Sequence, residues 1–432
     1  MKADHTRRSD PVGERHRGEP AGPEAERADG SGGEPAAERA AGPGAGPAAE
    51  RANWPAGFDP LALACPSCST TVEDLLAWRC PDCEGPLELP AGSIAPGRGP
   101  LGGQGVWRYR WWLPPVEPVS LGEPTTPLVT LRWPGGPATF KLEPSQPTGS
   151  FKDRASALLA GWLRARGATR VAEDSSGNAG ASLAAYCARA RIDCDIYAPA
   201  SASPAKLTQI AAYGARVIRV EGSRQAATDA AARSAGRGVV YATHLWNPLC
   251  LAGTATFAFE LWEQTDGTPP DVIVFPLGAG TLLLGALRAF EAMCVVGMMS
   301  RVPRVFGVQS AACAPLAEAS AAGSDEPATV TPATSAAEGI MLARPPRGAE
   351  ILRRTRESGG GVVAVDDDAL WAALRRLAGL GVYVEPTSAV APAGLDLLRA
   401  TGRIGAEERV LVALTGSGLK AGDRIRAGLG LD

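Results

Sequence analysis

From about Thr125 onward, short β-rich runs alternate with longer stretches whose apolar residues recur at helical spacing. Residues 171–173, 195–198, 216–220, 239–242, 272–275, 305–308 and 410–413 read as strands. Residues 155–166, 179–190, 205–213, 225–235, 254–264 and 282–293 read as helices. That rhythm predicts an α/β fold built on parallel sheet, with helices covering both faces. In such folds ligands sit at the carboxyl ends of the strands, so the loops that follow strands are where chemistry is expected.

Four segments at such places carry reactive or ligand-binding side chains. Pro147-Thr148-Gly149-Ser150-Phe151-Lys152-Asp153-Arg154 precedes the helical run 155–166, with Ser150 as the expected cap and Asp153 three residues on. Lys152 then falls in the first helical turn, where the positive end of the macrodipole disfavours a second positive charge. A partly neutral lysine is what Schiff-base chemistry with a carbonyl cofactor requires; the plainer reading is a solvated lysine at a helix start. Asp174-Ser175-Ser176-Gly177-Asn178 leads into the next helix. Ser175, Ser176 and Gly177 offer hydroxyls and N–H groups to a carboxylate, and Asn178 either caps the helix or reaches a cofactor hydroxyl. In Gly278-Ala279-Gly280-Thr281 the backbone is free to approach a phosphate. Leu283 stands where a dinucleotide fingerprint needs its third glycine, so a single-phosphate cofactor fits better. After the last strand, Thr415 leaves a strand end in a glycine turn, placed to bond a ring nitrogen.

Composition narrows the class. The 432 residues are 45% hydrophobic and 21% charged with a net charge of -3, which suits a globular enzyme and gives no reason to expect nucleic acid or membrane as partner. No run of about 20 apolar residues occurs, and the N-terminus has no apolar signal region, so a cytoplasmic enzyme acting on a small molecule is expected. Residues 1–53, rich in Gly, Pro, Ala, Glu and Arg, read as a disordered tail or as sequence upstream of the true start. Residues 54–95 hold Cys65-x2-Cys68 and Cys80-x2-Cys83, separated by 11 residues, the spacing of a structural zinc ribbon; a vestigial or redox cluster is the alternative. Residues 96–432 are left for a catalytic domain of two subdomains. Trp107, Tyr109, Trp111 and Trp112 are expected to pack between ribbon and main domain. His244 is the one histidine outside the tail, which leaves triads and histidine–metal catalysis little material, and it reads as a structural group.

Taken together the segments resemble threonine synthase and its relatives in the fold type II (tryptophan synthase β-like) pyridoxal-phosphate-dependent enzyme family. The carrying stretches are Thr126-Pro127-Leu128, 147–154, 175–182, Ser203-Pro204-Ala205-Lys206-Leu207, Tyr213-Gly214-Ala215, 384–389 and 415–420. The resemblance implies two open parallel-sheet subdomains with pyridoxal 5'-phosphate between them, and a homodimer. It implies that Lys152 holds the cofactor as a Schiff base and then acts as base at the substrate's α-carbon. Asn178 would bond the ring hydroxyl, Gly278, Ala279, Gly280 and Thr281 the phosphate, and Thr415 the pyridine nitrogen. The implied reaction turns O-phospho-L-homoserine and water into L-threonine and phosphate. Threonine or serine dehydration, β-replacement on a serine derivative as in cysteate synthase, and a non-catalytic binding module are the alternatives. Cys250 and Ala255 stand where threonine synthases carry an arginine and a lysine, Ala279 where an asparagine is common, and Gly122-Glu123-Pro124 where Gly-Glu-Gly is usual. A thiol does not replace a bidentate guanidinium, so these departures bear on the substrate.

Overall fold

The computed structural model describes residues 62–431 apart from Leu75, Ser203 and the side chains of 204–206. The tail expected over 1–53 lies outside the described residues. β1 (Leu63–Ala64) and β2 (Thr71–Val72) form a small antiparallel pair that opens the cysteine-bearing segment. β3 (Leu128–Leu131) and β4 (Ala138–Leu142) follow as a hairpin.

The chain then crosses into a four-stranded sheet. Here α1 (Lys152–Ala165), β5 (Arg170–Glu173), α2 (Asn178–Ala190), β6 (Asp193–Pro199) and α3 (Pro204–Ala212) precede β7 (Arg216–Val220), α4 (Arg224–Ser234) and β8 (Val239–Tyr241). The strand order is β7-β6-β5-β8, all parallel. α5 (Pro248–Gln264) leads back to β9 (Val272–Pro276), α6 (Thr281–Val295), β10 (Arg304–Ser310), α7 (Pro315–Ala321) and α8 (Gly348–Glu357). β11 (Gly361–Val365), α9 (Asp367–Gly379), α10 (Pro386–Ala400), β12 (Val410–Leu414) and α11 (Gly422–Leu429) complete the larger unit. Its six strands run β11-β10-β9-β12-β4-β3, with only the β3 edge antiparallel.

Period-two alternation divides the larger sheet between two cores. Ile273, Phe275, Leu411 and Ala413 face the cluster that includes α5 and α6, while Val272, Val274, Val410 and Val412 face α9 and α10. Both faces are covered, so these strands read as unbroken apolar runs. The α/β expectation with two parallel sheets is met. α5 begins at Pro248, six residues before the predicted start, with Asn247 as cap accepting from Leu249 N–H at 3.0 Å. The aromatic cluster packs on α5, where Trp112 and Tyr109 lie 5.0 and 5.7 Å from the Phe259 ring, and Trp112 O accepts from Ala95 N–H at 3.0 Å. The cysteine segment is joined to the body by Trp78 against Tyr241 and Trp246 and by Glu88, paired to Arg288 and Arg347. Among the described residues, no helix is long and apolar enough to cross a membrane.

Candidate active site

Three loops converge where the two sheets meet. The segment before α1 lies antiparallel to the turn after β12: Phe151 N–H bonds Thr415 O at 3.0 Å and Ser417 N–H bonds Gly149 O at 3.0 Å. Lys152 is the first residue of α1. Burial pushes its amine down to about 8, so a substantial part is neutral near physiological pH. Ser150 does not cap this helix. Its hydroxyl is buried without a partner, and Asp153 instead accepts from Thr148 N–H and Oγ1 and from Ser182 Oγ at 2.6–2.7 Å.

The turn after β12 is held from α10. Ser388 Oγ accepts from the N–H groups of Thr415 and Gly416 at 2.9 and 2.8 Å and lies 3.0 Å from Thr415 Oγ1. A Cβ at Gly416 would meet Glu385 Oε1 at 2.3 Å and Asn178 Nδ2 at 2.9 Å, so any larger residue would displace this hydrogen-bonded pair. Asn178 opens α2 and does not cap it. Its amide donates to Glu385 at 2.9 and 3.1 Å and accepts from Lys420 Nζ at 3.0 Å. Sequence reasoning placed Asn178 and Thr415 near one another but named neither Glu385 nor Lys420 as a partner. Before Asn178, Ser175 is buried and Gly177 exposed, with Ser176 between them.

The glycine loop follows β9, next to β12 in the sheet. Gly280 is the N-cap of α6 at φ 75°, with no side chain to satisfy the helix's first N–H groups. α5 connects this loop to Lys152: Thr254 Oγ1 donates to Thr281 O at 2.8 Å, and Cys250, one turn earlier, acts electrostatically on the Lys152 amine. Burial pushes the Cys250 thiol up to about 12, and Ala255 is fully buried, so neither offers a cation. The Lys152, Asn178 and Thr415 segments are therefore brought together by direct contacts, and the loop 278–281 is joined to them through α5. Open helix-start N–H groups, an unpartnered buried hydroxyl and a partly neutral amine suit a carbonyl-bearing phosphate ester.

Beneath the lysine lies a closed ionic cluster. Arg154 donates to Glu143 at 2.7 and 2.8 Å and to Glu260 at 2.9 and 3.3 Å, while Lys141 reaches Glu260 at 2.6 Å. Apart from these loops, the Sγ atoms of Cys65, Cys68, Cys80 and Cys83 all lie within 4.8 Å of one another. Four sulfurs about 2.3 Å from one tetrahedral zinc would be about 3.8 Å apart, so the cluster is compatible with the ion.

Residues 119–416 match the family described as pyridoxal-phosphate dependent enzyme, and the chain belongs to that family. It is a pyridoxal-phosphate-dependent lyase related to the threonine synthases. The threonine synthase of Methanocaldococcus jannaschii is 34% identical over 331 residues, 74% of this chain and 81% of that protein. That of Methanosarcina acetivorans is 31% identical, over 83% of this chain and 92% of its own length. Among solved structures, a fungal L-serine ammonia-lyase from Rhizomucor miehei superposes with TM-score 0.61 at 20% identity, covering 72% of this chain and 99% of that one. Maize serine racemase gives 0.58 at 22%, covering 71% and 92%. These two share the fold.

Proposed function

We propose that the chain converts O-phospho-L-homoserine and water to L-threonine and phosphate, with Lys152 as the residue that carries the cofactor and moves the α-proton. The observation that carries this reading is the lowered Lys152 amine at the junction of the Thr415 turn, the Asn178 turn and, through α5, the Gly280 loop. Bound pyridoxal phosphate supplies a conjugated ring that withdraws electron density from the substrate's α-carbon. Gly278, Ala279, Gly280 and Thr281 offer backbone N–H groups to its phosphate. Asn178 meets the ring hydroxyl, and Thr415 meets the ring nitrogen with a hydroxyl that does not hold it protonated. Ser175, Ser176 and Gly177 bind the substrate carboxylate. The four cysteines hold a structural zinc, since a four-thiolate site leaves no open position for catalysis.

The substrate's phosphate needs a cation that Cys250 and Ala255 do not provide. Arg347 is already committed to Glu88 and Leu87 O. Arg224 supplies it in this reading. α4 starts at the carboxyl end of β7, and Thr228, one turn beyond Arg224, donates to Asp174 at 2.5 Å beside the serine loop. The exposed Arg224 guanidinium makes no ion pair or hydrogen bond among the described residues, and its charge acts on Lys152.

A second reading is favoured by the buried, uncharged Cys250 and Ala255: dehydration of serine or threonine, which needs no phosphate site. Product analysis separates the two. Threonine with equimolar phosphate from O-phospho-L-homoserine supports the first. A 2-oxo acid and ammonia from serine or threonine, with no threonine from the phosphorylated substrate, replaces it with the second.

A further inference from the structure

Glu173 and His244 form a pair that the reaction above does not use. β5 and β8 are neighbours in register, Ala172 opposite Tyr241, so Glu173 at the end of β5 and His244 just past β8 leave the carboxyl edge of the sheet together. Glu173 Oε1 lies 2.7 Å from His244 Nδ1, and Oε2 accepts the His244 backbone N–H at 3.1 Å. Their side chains are 1% and 15% exposed. Two contacts from one carboxyl group fix the ring. Burial pushes Glu173 up to about 7, and above that pH it is a carboxylate acceptor that assigns the proton to Nδ1 and leaves Nε2 a lone pair. Nε2 makes no hydrogen bond among the described residues.

Glu173 directly precedes the loop 174–178, and the Lys152 charge acts on both members of the pair. The charges that act on it come from Lys152 on α1, Asp174 just past β5 and Arg224 on α4, while the Glu173 charge acts on Cys250 on α5. Burial and the Lys152 charge hold His244 well below its ordinary range, so the ring is neutral at physiological pH, the form able to accept a proton. A carboxylate that fixes the tautomer and orientation of a neutral imidazole is the arrangement of a general base. Neither residue belongs to the stretches that carry the family resemblance.

We infer that His244, oriented by Glu173, takes the proton from the nucleophile that adds to the substrate's distal carbon, while Lys152 serves the α-carbon. The inference rests on the O-phospho-L-homoserine reading above. For water, an oxygen lone pair forms the new bond to one carbon of a carbon–carbon double bond. The O–H bond breaks and its proton passes to His244 Nε2. The π pair becomes a C–H bond at the neighbouring carbon with the proton of the Lys152 ammonium. Imidazolium then returns its proton to the lysine through solvent, which restores both groups.

The test uses the cofactor-loaded full chain with O-phospho-L-homoserine in deuterated water, following α-hydrogen exchange by proton NMR beside threonine release. His244→Gln is expected to lower threonine release about 100-fold or more while α-hydrogen exchange and cofactor content persist. Glu173→Gln keeps the ring in place and is expected to separate the two readouts in the same direction. Nitrogen-15 NMR of the cofactor-free protein, with the His244 signal assigned by its loss in His244→Gln, is expected to show the Nδ1–H tautomer. Exchange and release falling together in both variants, release unchanged in His244→Gln, or an Nε2–H tautomer would each overturn the inference. Wild-type protein that exchanges no α-hydrogen refutes the O-phospho-L-homoserine reading and the inference with it; unchanged release in the variant refutes the inference alone.

Discussion

Replacing Arg154 with methionine tests whether the ionic cluster under Lys152 holds the catalytic helix in place. Arg154 lies two residues beyond Lys152, and its side chain and those of Glu143, Glu260 and Lys141 are 0–1% exposed. The cluster contains two cations and two anions, so it is neutral as built. Arg154→Met keeps most of the volume, removes four hydrogen bonds to carboxylates, and leaves one negative charge in excess. Breaking a buried pair by removing one partner costs about 3–5 kcal/mol, against total stabilities of roughly 5–15 kcal/mol. Equilibrium urea unfolding of the cofactor-free protein, read by tryptophan fluorescence, should show a loss of that size at pH 7. Adding Glu143→Gln restores neutrality and should recover about 0.5–3 kcal/mol as coupling. The pH dependence has a definite sign. Burial pushes the Glu260 carboxyl up, but the Arg154 and Lys141 charges outweigh it and hold it at about 2. Its contribution is therefore full above the ordinary carboxyl value of 4.5 and is lost as pH falls from there toward 2, so the deficit of Arg154→Met should shrink in acid. An Arg154→Met protein within about 1 kcal/mol of the parent at pH 7, where exposed pairs contribute roughly 0–1 kcal/mol, would refute the reasoning.

Other consequences are more local. With its amine near 8, Lys152 should be about 10% neutral at pH 7, against roughly 0.04% for an unperturbed lysine. The rate at which cofactor-free protein forms a Schiff base with pyridoxal phosphate should accordingly reach half its maximum near pH 8; a midpoint above 10 contradicts it. Purified protein should carry one zinc per chain, and Cys80→Ser should lower the unfolding midpoint before it lowers turnover of the protein that remains folded. Metal-free protein of unchanged stability contradicts that. Arg224→Gln should raise KM for O-phospho-L-homoserine roughly 10–150-fold, the worth of about 1.5–3 kcal/mol for a charged hydrogen bond, with cofactor content unchanged. An unaltered KM would remove Arg224 from the phosphate site.

Local pattern carried most of the fold. β7 spans Arg216–Val220 as its alternation predicts, and α2 and α4 begin within a residue of their expected starts. The first turns of α5 escaped because Pro-Leu-Cys-Leu-Ala-Gly is buried on every side and shows no amphipathic period. Residues 309–409 were left unassigned, and within them α10 carries Pro392 in its interior, a residue that reads as a helix breaker. At the candidate site, the segments holding Lys152, Asn178, Gly280 and Thr415 were legible as loops because each is a strand-to-helix or strand-end turn of distinctive composition. Their partners were not. Asn178 meets Glu385 across 207 residues and Lys420 across 242, and Glu173 meets His244 across 71. No local period records such pairings. Ser150 illustrates the opposite error: it has the chemistry of a cap, but Thr148 and Ser182 had already claimed Asp153.

The most direct test of the central claim is borohydride reduction of the pyridoxal-phosphate-loaded protein, followed by mass spectrometry of its peptides. The account predicts one phosphopyridoxyl group per chain, on Lys152, and a Lys152→Ala protein that folds but forms no Schiff-base band. Label on another lysine, or a band that survives in Lys152→Ala, would contradict it.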